Sequence, residues 1–131
     1  MQQQFLLDTV TIVRHFSGQG KIGKKAAHIL ETLEGTDNSL VISVISLMEI
    51  LYLAEKNRIK INLQETLDVI ESSAKYSIVD LTPKILTIAE TINFHELHDR
   101  LILATAKWLE IKIISSDSKF SQVEGIEVIW N

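Results

Sequence analysis

The stretch FLLDTVTIVRHF, residues 5–16, carries the pattern that decides the fold. Its first three residues are apolar and predict a short buried strand that ends at Asp8. Val10, Val13 and Phe16 then recur at helical spacing and predict a helix. A strand that passes directly into a helix is the start of a β–α unit, and here Asp8 is the residue at the junction.

The same alternation of short apolar runs and helical patterns continues along the chain. Further strands are predicted at SLVISVI (39–45), YSIVDL (76–81), IKII (111–114) and EVIW (127–130). Helices are predicted over residues 26–33, from Ser46 to about Lys56, over 63–74, after the Thr82-Pro83 cap, and over 98–109. Strands and helices that alternate in this way predict a parallel sheet with helices on both faces.

Composition bounds the class of protein. The 131 residues fit one domain spanning 1–131, and 46% hydrophobic residues support a sizeable core. The net charge of -4 argues against general affinity for nucleic acid, and the lack of cysteine excludes disulfides and thiolate metal sites. We expect a cytoplasmic protein, because neither a signal-peptide pattern nor an apolar run of the ~20 residues needed to span a membrane is evident.

Four acidic residues fall at or near the predicted carboxyl ends of strands. Asp8 follows the first strand, Glu49 lies one turn into the helix after the second, and Asp117 follows IKII and two serines. Asp99 lies near the start of the helix over 98–109 and joins the others if that helix begins at the same edge. Ligand sites of parallel sheets lie beyond the carboxyl ends of the strands, so we expect these four acids to meet there.

Each acid also has a structural explanation that needs no ligand. Asp8 can cap the following helix, Ser46-x-x-Glu49 has the pattern of a capping box, Asp99 suits a helix dipole, and Asp117 can form an Asx turn. For Glu49 alone the capping box is the better interpretation. Capping does not require all four at one edge, however, and grouped carboxylates repel unless a hard cation such as Mg²⁺ or Mn²⁺ offsets their charge.

Four sequence blocks carry a resemblance to a known family. They are FLLDT with Asp8 and Thr9, ISVISLMEI with Ser43, Ser46 and Glu49, ELHDRLILATA with Asp99 and Arg100, and IISSDSKF with Ser115 and Asp117. In this order and spacing they resemble the PIN-domain nucleases, specifically the VapC-like toxins of bacterial toxin–antitoxin pairs. The resemblance covers nearly the whole chain.

This resemblance implies a three-layer α/β/α sandwich with a central, mainly parallel sheet of about five strands. It implies a metal-dependent endoribonuclease that hydrolyses RNA phosphodiester bonds with Mg²⁺ or Mn²⁺, an antitoxin partner and a homodimer. Asp8 and Asp99 would be the main metal ligands, and Glu49 and Asp117 would complete the catalytic cluster. Thr9, Ser46 and Ser115 would orient ligands and water, and Arg100 would contact the substrate or the antitoxin.

Two departures and three alternatives accompany that interpretation. Val10 stands where many relatives carry a polar residue, and Glu96 stands where relatives often have Asp, as an auxiliary acid or a surface residue. A haloacid-dehalogenase-like phosphatase needs a second Asp at position 10, where this chain has Val10. A receiver domain needs paired acids before Asp8 and a lysine after the last strand, and we find neither. A catalytically silent PIN-like protein-binding module remains the alternative function.

Other features of the chain admit both a functional and a structural interpretation. His95 and His98 flank Glu96 and raise the possibility of a histidine-containing metal site, although the carboxylates suffice without them. The basic groups KIGKK (21–25) and KNRIK (56–60) suit phosphate contacts or solvated helix ends. The segment 47–53 has more apolar surface than one helix face needs, which suits an antitoxin helix, a second subunit or the core.

Overall fold

A five-stranded parallel sheet forms the centre of the computed structural model, which describes residues 2–131. The strands are β1 (Gln4–Leu7), β2 (Ser39–Ser43), β3 (Tyr76–Val79), β4 (Lys112–Ile114) and β5 (Val128–Ile129). Their order across the sheet is β3-β2-β1-β4-β5, and all four pairings are parallel. The alternating sequence pattern therefore predicted the strand type and number correctly.

Within residues 2–131, six α-helices connect and cover the strands. They are α1 (Thr9–Ser17), α2 (Lys24–Glu31), α3 (Val44–Glu55), α4 (Leu63–Glu71), α5 (Pro83–Glu90) and α6 (Leu97–Leu109). Two short 3-10 segments follow α2 and β4, at Leu33–Gly35 and Ser118–Gln122. In the part of the chain that is described, no helix is long and apolar enough to cross a membrane.

Both faces of the sheet are covered by hydrophobic core. Leu6 of β1 enters one core together with residues of α5 and α6, whereas its neighbours Phe5 and Leu7 enter the other with residues of α1, α2, α3 and α4. Successive side chains of a strand point to opposite faces, so a strand that is apolar throughout must be buried on both. This arrangement confirms the predicted three-layer α/β/α sandwich.

The position of β1 determines where a site can form. It is the central strand, and the strand order reverses there, with β2 on one side and β4 on the other. The carboxyl ends of these three strands diverge into separate connections and leave a crevice between them. Because α6 precedes β4 in a parallel sheet, α6 runs back against the strands and begins at this same edge.

The predicted start of α3 was wrong. The helix begins at Val44, and the side chain of Ser43 caps it by accepting a hydrogen bond from the Ile45 N–H at 3.0 Å. Ser46 therefore lies inside the helix, and the Ser46-x-x-Glu49 capping box is not present. The β-branched residues 44 and 45 belong to the helix because burying Ile45 in the core outweighs its weak helix propensity.

Candidate functional site

Asp8 is buried at the carboxyl end of β1 and holds two neighbouring elements. One carboxylate oxygen accepts a hydrogen bond from the Thr11 N–H at 2.9 Å and so caps α1, as the structural interpretation predicted. The other accepts from the Ser115 hydroxyl at 2.5 Å, across the boundary between β1 and β4. The Asp117 N–H in turn donates to the Ser115 oxygen at 3.0 Å. Ser115 thus links two of the four predicted acids.

Glu49 lies inside α3, where it is held from two sides. The Thr9 hydroxyl donates to one of its carboxylate oxygens at 2.5 Å, and the Ser46 hydroxyl oxygen lies 2.9 Å from the same Thr9 oxygen. The imidazole Nδ1 of His98 lies 3.4 Å from the other carboxylate oxygen. Thr9 adjoins Asp8, and His98 adjoins Asp99, so Glu49 contacts the sequence neighbours of both Asp8 and Asp99.

Asp99 and Asp117 occupy the starts of two different segments. Asp117 caps the 3-10 segment 118–122 by accepting a hydrogen bond from the Lys119 N–H at 2.9 Å, which is the Asx-type contact expected from the sequence. Asp99 lies in the first turn of α6, whose cap is Glu96. The two carboxylate oxygens of Glu96 accept from the N–H groups of His98 and Asp99 at 3.0 and 2.9 Å.

The pKa of Asp99 reflects its burial and the charges of neighbouring acids. Burial is the largest cause, the negative charges of Glu96, Glu49, Asp117 and Asp8 follow in that order, and together they raise the pKa of its carboxyl to about 6. Each carboxylate makes it harder for Asp99 to ionise. The charges of Asp8, Glu49 and Asp117, which lie after β1, in α3 and after β4, therefore act on Asp99 at the start of α6.

A divalent cation fits the chemistry of this site. Its side chains offer carboxylate oxygens, the ligands preferred by Mg²⁺ and Mn²⁺, and Asp99 carries uncompensated repulsion that a cation would relieve. Within residues 2–131, however, no three His, Asp or Glu side chains are already arranged to hold one ion together. Hydrogen bonds from the protein already engage carboxylate oxygens of Asp8, Glu49 and Asp117.

The raised pKa of Asp99 predicts how stability depends on pH in a chelating buffer. The folded protein holds this proton up to pH about 6 whereas the unfolded chain loses it near 3.8, so the group's stabilising contribution is complete at low pH and is lost as pH rises between those values. Asp99→Asn should therefore unfold at higher denaturant concentration than wild type near neutral pH and lose that advantage below pH about 4. Urea titrations across this range test the prediction, and an advantage that does not change with pH would contradict it.

Two participating residues lay outside the predicted set of site residues. Glu96, predicted as an auxiliary acid or a surface residue, is the α6 cap, and its charge raises the pKa of Asp99 more than that of any other acid. Its spacing three residues before Asp99, just ahead of an apolar helix, was a usable signal. The contact of His98 with Glu49 had no such signal, because it joins α6 to α3 through tertiary packing.

Arg100 lies at the site, whereas the two basic groups singled out in the sequence lie away from it. Arg100 adjoins Asp99, and its buried Nε has no hydrogen-bond partner among the described residues. Lys24 and Lys25 line a different cavity beside β5. The group 56–60 follows the end of α3, at the opposite edge of the sheet from its start. Neither predicted basic group therefore surrounds the four acids.

The apolar surface of the segment 47–53 is only partly used by the core. Leu47 and Ile50 are buried in it. Met48, Leu51 and Tyr52 are 44%, 41% and 52% exposed, and their spacing places them along one side of α3. Core packing therefore accounts for only part of this apolar segment.

The fold and the acidic edge define a class of protein, the doubly wound α/β domains with a carboxylate site at the switch point of the sheet. The model of the PIN domain family matches residues 5–126, so the chain belongs to that family, as the resemblance predicted.

Solved structures similar to this one include chains of toxin–antitoxin complexes. VapBC2 from Rickettsia felis, bound to a DNA fragment from its promoter, superposes with a TM-score of 0.76 at 20% identity and covers 98% of this chain and 100% of its own. DNA-bound VapBC from Salmonella typhimurium gives 0.68 at 22%, covering 97% of both chains. VapBC-5 from Mycobacterium tuberculosis gives 0.60 at 16%, covering 96% and 97%. No curated protein sequence matches the chain significantly.

Proposed function

We propose that this protein is a divalent-metal-dependent endoribonuclease that acts in the cytoplasm. The observation that carries the proposal is that Asp8, Glu49 and Asp117, from three other parts of the fold, lie close enough for their charges to act on Asp99. Burial and the neighbouring charges raise the pKa of Asp99 to about 6. Purely structural caps do not need to share one edge. A cluster with surplus negative charge and oxygen ligands suits Mg²⁺ or Mn²⁺ bound together with an RNA phosphate.

Asp8 and Asp99 are the proposed main ligands, and Glu49 and Asp117 complete the set directly or through water. A bound divalent cation would polarise the phosphodiester and lower the pKa of a water molecule. Ser115 fixes one oxygen of Asp8, and Thr9 fixes one oxygen of Glu49, so these hydroxyls limit the rotation of the carboxylates. Ser46 supports Thr9 from within α3.

The proposed reaction is in-line hydrolysis. A carboxylate, Glu49 or Asp117, takes a proton from the attacking water, and the water oxygen forms the new bond to phosphorus. The bond from phosphorus to the ribose 3′ oxygen breaks, and that oxygen takes up a proton, which leaves a 3′-hydroxyl and a 5′-phosphate. Asp117 is well placed for this role because it lines an open cavity next to Asp99.

Arg100 is the proposed contact for an anionic partner at the same site. Its Nε is buried without a hydrogen-bond partner, but the residue is partly exposed, so the rest of the guanidinium can donate to an acceptor brought by a ligand. An RNA phosphate suits this position, and so does a carboxylate of an antitoxin. The two would then compete for one residue beside Asp99, which gives an antitoxin a direct way to block cleavage.

Removal of divalent metal tests the activity. Purified protein should cut single-stranded RNA with Mg²⁺ or Mn²⁺, lose at least about 100-fold of the rate in excess chelator, and recover it when the cation is restored. Asp8→Asn purified in parallel should remain inactive with metal, which excludes a contaminating nuclease. Cleavage that survives chelation or the Asp8→Asn substitution would refute the proposal. A folded wild type without activity on any RNA would favour the silent protein-binding module.

An antitoxin partner is the second part of the proposal. It is supported by the similar structures, which are described as VapBC toxin–antitoxin complexes from several bacteria. Their sequence identity to this chain is low, so the support is a shared fold and the cleavage site argued above. A short neighbouring gene for a DNA-binding protein, and inhibition of cleavage by its product, would establish this role.

The exposed side of α3 is proposed to bind a second copy of the chain. Met48, Leu51 and Tyr52 form an apolar stripe that can pack against itself across a twofold axis. The double variant Leu51→Lys/Tyr52→Lys should weaken dimerisation at least about tenfold in sedimentation velocity experiments. Val69→Lys, at a 41% exposed apolar residue on α4, is the matched control. A wild type that is monomeric would overturn the dimer, and a double variant that is fully dimeric would overturn this interface.

A further inference from the structure

A cavity of about 590 Å³ opens beside the acidic cluster and extends away from it. Two connections form its walls, the loop between α5 and α6 and the segment between β4 and β5. Asp99 and Asp117 lie at its acidic end. Its volume falls within the range of small-molecule and cofactor sites in proteins. Whatever occupies this cavity therefore lies next to the proposed cleavage centre.

The two walls are held together by an aromatic contact. The ring of Phe94, from the loop after α5, meets the buried ring of Phe120 edge to face, with their centroids 5.4 Å apart. Phe120 is almost completely buried in the core, so it anchors the wall that also carries Lys119 and Gln122. Such a pair fixes the loop after α5 against the 3-10 segment Ser118–Gln122. The cavity is consequently a feature of the packed fold.

The non-acidic lining has the groups that recognise a nucleotide. Phe94 and Val123 provide apolar surface for the plane of a base, and the exposed amides of Asn93 and Gln122 each offer a donor beside an acceptor. Amides of this kind pair with the edge of an unstacked base. Lys119 adds a cation, and the two ion pairs found within residues 2–131 do not involve it.

We propose that this cavity binds the nucleobase adjacent to the scissile phosphate of single-stranded RNA, with Asn93 and Gln122 reading its edge and Lys119 contacting the neighbouring phosphate. The inference rests on the proposed ribonuclease function and assigns its substrate preference. The neutral base would occupy the non-acidic part of the cavity. The phosphate would remain at the acidic end, where the metal is proposed to bind. A base paired in a duplex presents neither a free face nor its pairing edge, so the cavity selects unpaired RNA.

Abasic substitution tests where the base is bound. Cut sites of the wild type are first mapped on a pool of single-stranded oligoribonucleotides with Mn²⁺. The nucleotide on each side of the cut is then replaced by an abasic residue. One of the two replacements should slow cleavage about tenfold, the effect expected for losing one stacked and hydrogen-bonded base. Equal rates for both abasic substrates and the parent would overturn the proposal while leaving the ribonuclease function intact.

Variants of the lining identify the cavity as the site. Asn93→Ala/Gln122→Ala should cut the parent RNA more slowly and should no longer distinguish it from the abasic substrate. Lys119→Ala should slow both substrates by a similar factor, because its contact is with phosphate. Gln64→Ala and Lys60→Ala are the matched controls, since both residues are exposed and neither lines this cavity. Discrimination that is unchanged in the double variant would overturn the proposal.

A binding measurement separates this proposal from the activity. In a chelating buffer, the side-chain amide signals of Asn93 and Gln122 in ¹⁵N–¹H spectra are followed while a short single-stranded oligoribonucleotide is added. Shifts of these signals, absent when an oligomer of abasic residues is added, support the cavity even if the wild type cuts no RNA. Failure of cleavage alone therefore counts against the proposed function only. Amide signals that do not respond to RNA would overturn the base-binding site.

Discussion

Asp99→Asn is expected to lower the rate of RNA cleavage at saturating Mg²⁺ by more than about 100-fold, because Asp99 is proposed as a direct metal ligand, whose loss should exceed the 10- to 100-fold effect typical of an outer-shell partner. The amide cannot carry the negative charge that a cation requires, although its size matches the carboxyl. Its first-turn position in α6 tolerates the change, since the backbone N–H rather than the side chain makes the contact with Glu96. The variant should therefore fold and remain inactive.

Two further variants serve as controls for Asp99→Asn, because each should fold and retain cleavage activity. Asp37→Asn, in the exposed turn before β2 at the opposite edge of the sheet, should cut at the wild-type rate. Arg100→Gln should raise KM with a smaller loss of kcat, because Arg100 is proposed to bind the anionic substrate rather than the cation. The measurement is steady-state cleavage of a fluorescent oligoribonucleotide. An Asp99→Asn enzyme within tenfold of wild type would remove Asp99 from the mechanism.

Phe120→Ala is expected to destabilise the fold by about 3–5 kcal/mol, the usual cost of deleting a buried aromatic side chain. Phe120 is 1% exposed and packs in the core formed with α5 and α6. Since domains of this size are stable by only about 5–15 kcal/mol, the loss should be evident as a much lower urea midpoint. The same change removes the support of Phe94, so the cavity wall should become mobile.

A more conservative change at the same position separates the two effects. Phe120→Leu keeps most of the apolar volume and should cost less than about half as much as the alanine variant. It lacks the ring edge that meets Phe94, so it should lose discrimination against abasic RNA while still cutting it. Urea unfolding and cleavage assays on both variants provide the test. A Phe120→Ala protein as stable as wild type would contradict the assigned core position.

The elements of the fold could be predicted because their signals are local. The apolar run before Asp8 and the Thr82-Pro83 cap each identify a boundary from neighbouring residues, and the structure has β1 and α5 there. The start of α3 could not be placed in this way. Its serines at 43 and 46 both suit a cap, and the burial of Ile45 in the core favours the earlier start.

The candidate site could likewise be predicted only in part from local sequence signals. That Asp8, Glu49 and Asp117 belong near strand ends follows from sequence, because each lies within a few residues of an apolar run. Their roles as ligands remain a prediction. The contacts that orient them, from Thr9 to Glu49 and from Ser115 to Asp8, join residues far apart in the chain and were suggested only by the family resemblance.

The sequence by itself determined that strands alternate with helices and that an acid follows the first strand, since hydrophobic periodicity and caps are properties of adjacent residues. Only the tertiary structure decided that β1 is central and that α6 begins at the same edge. Strand order and helix packing depend on which apolar surfaces fit together across the whole chain. Those long-range contacts bury Asp99 and bring the charges of Asp8, Glu49 and Asp117 to bear on it, which raises its pKa, and the proposed chemistry depends on that proximity.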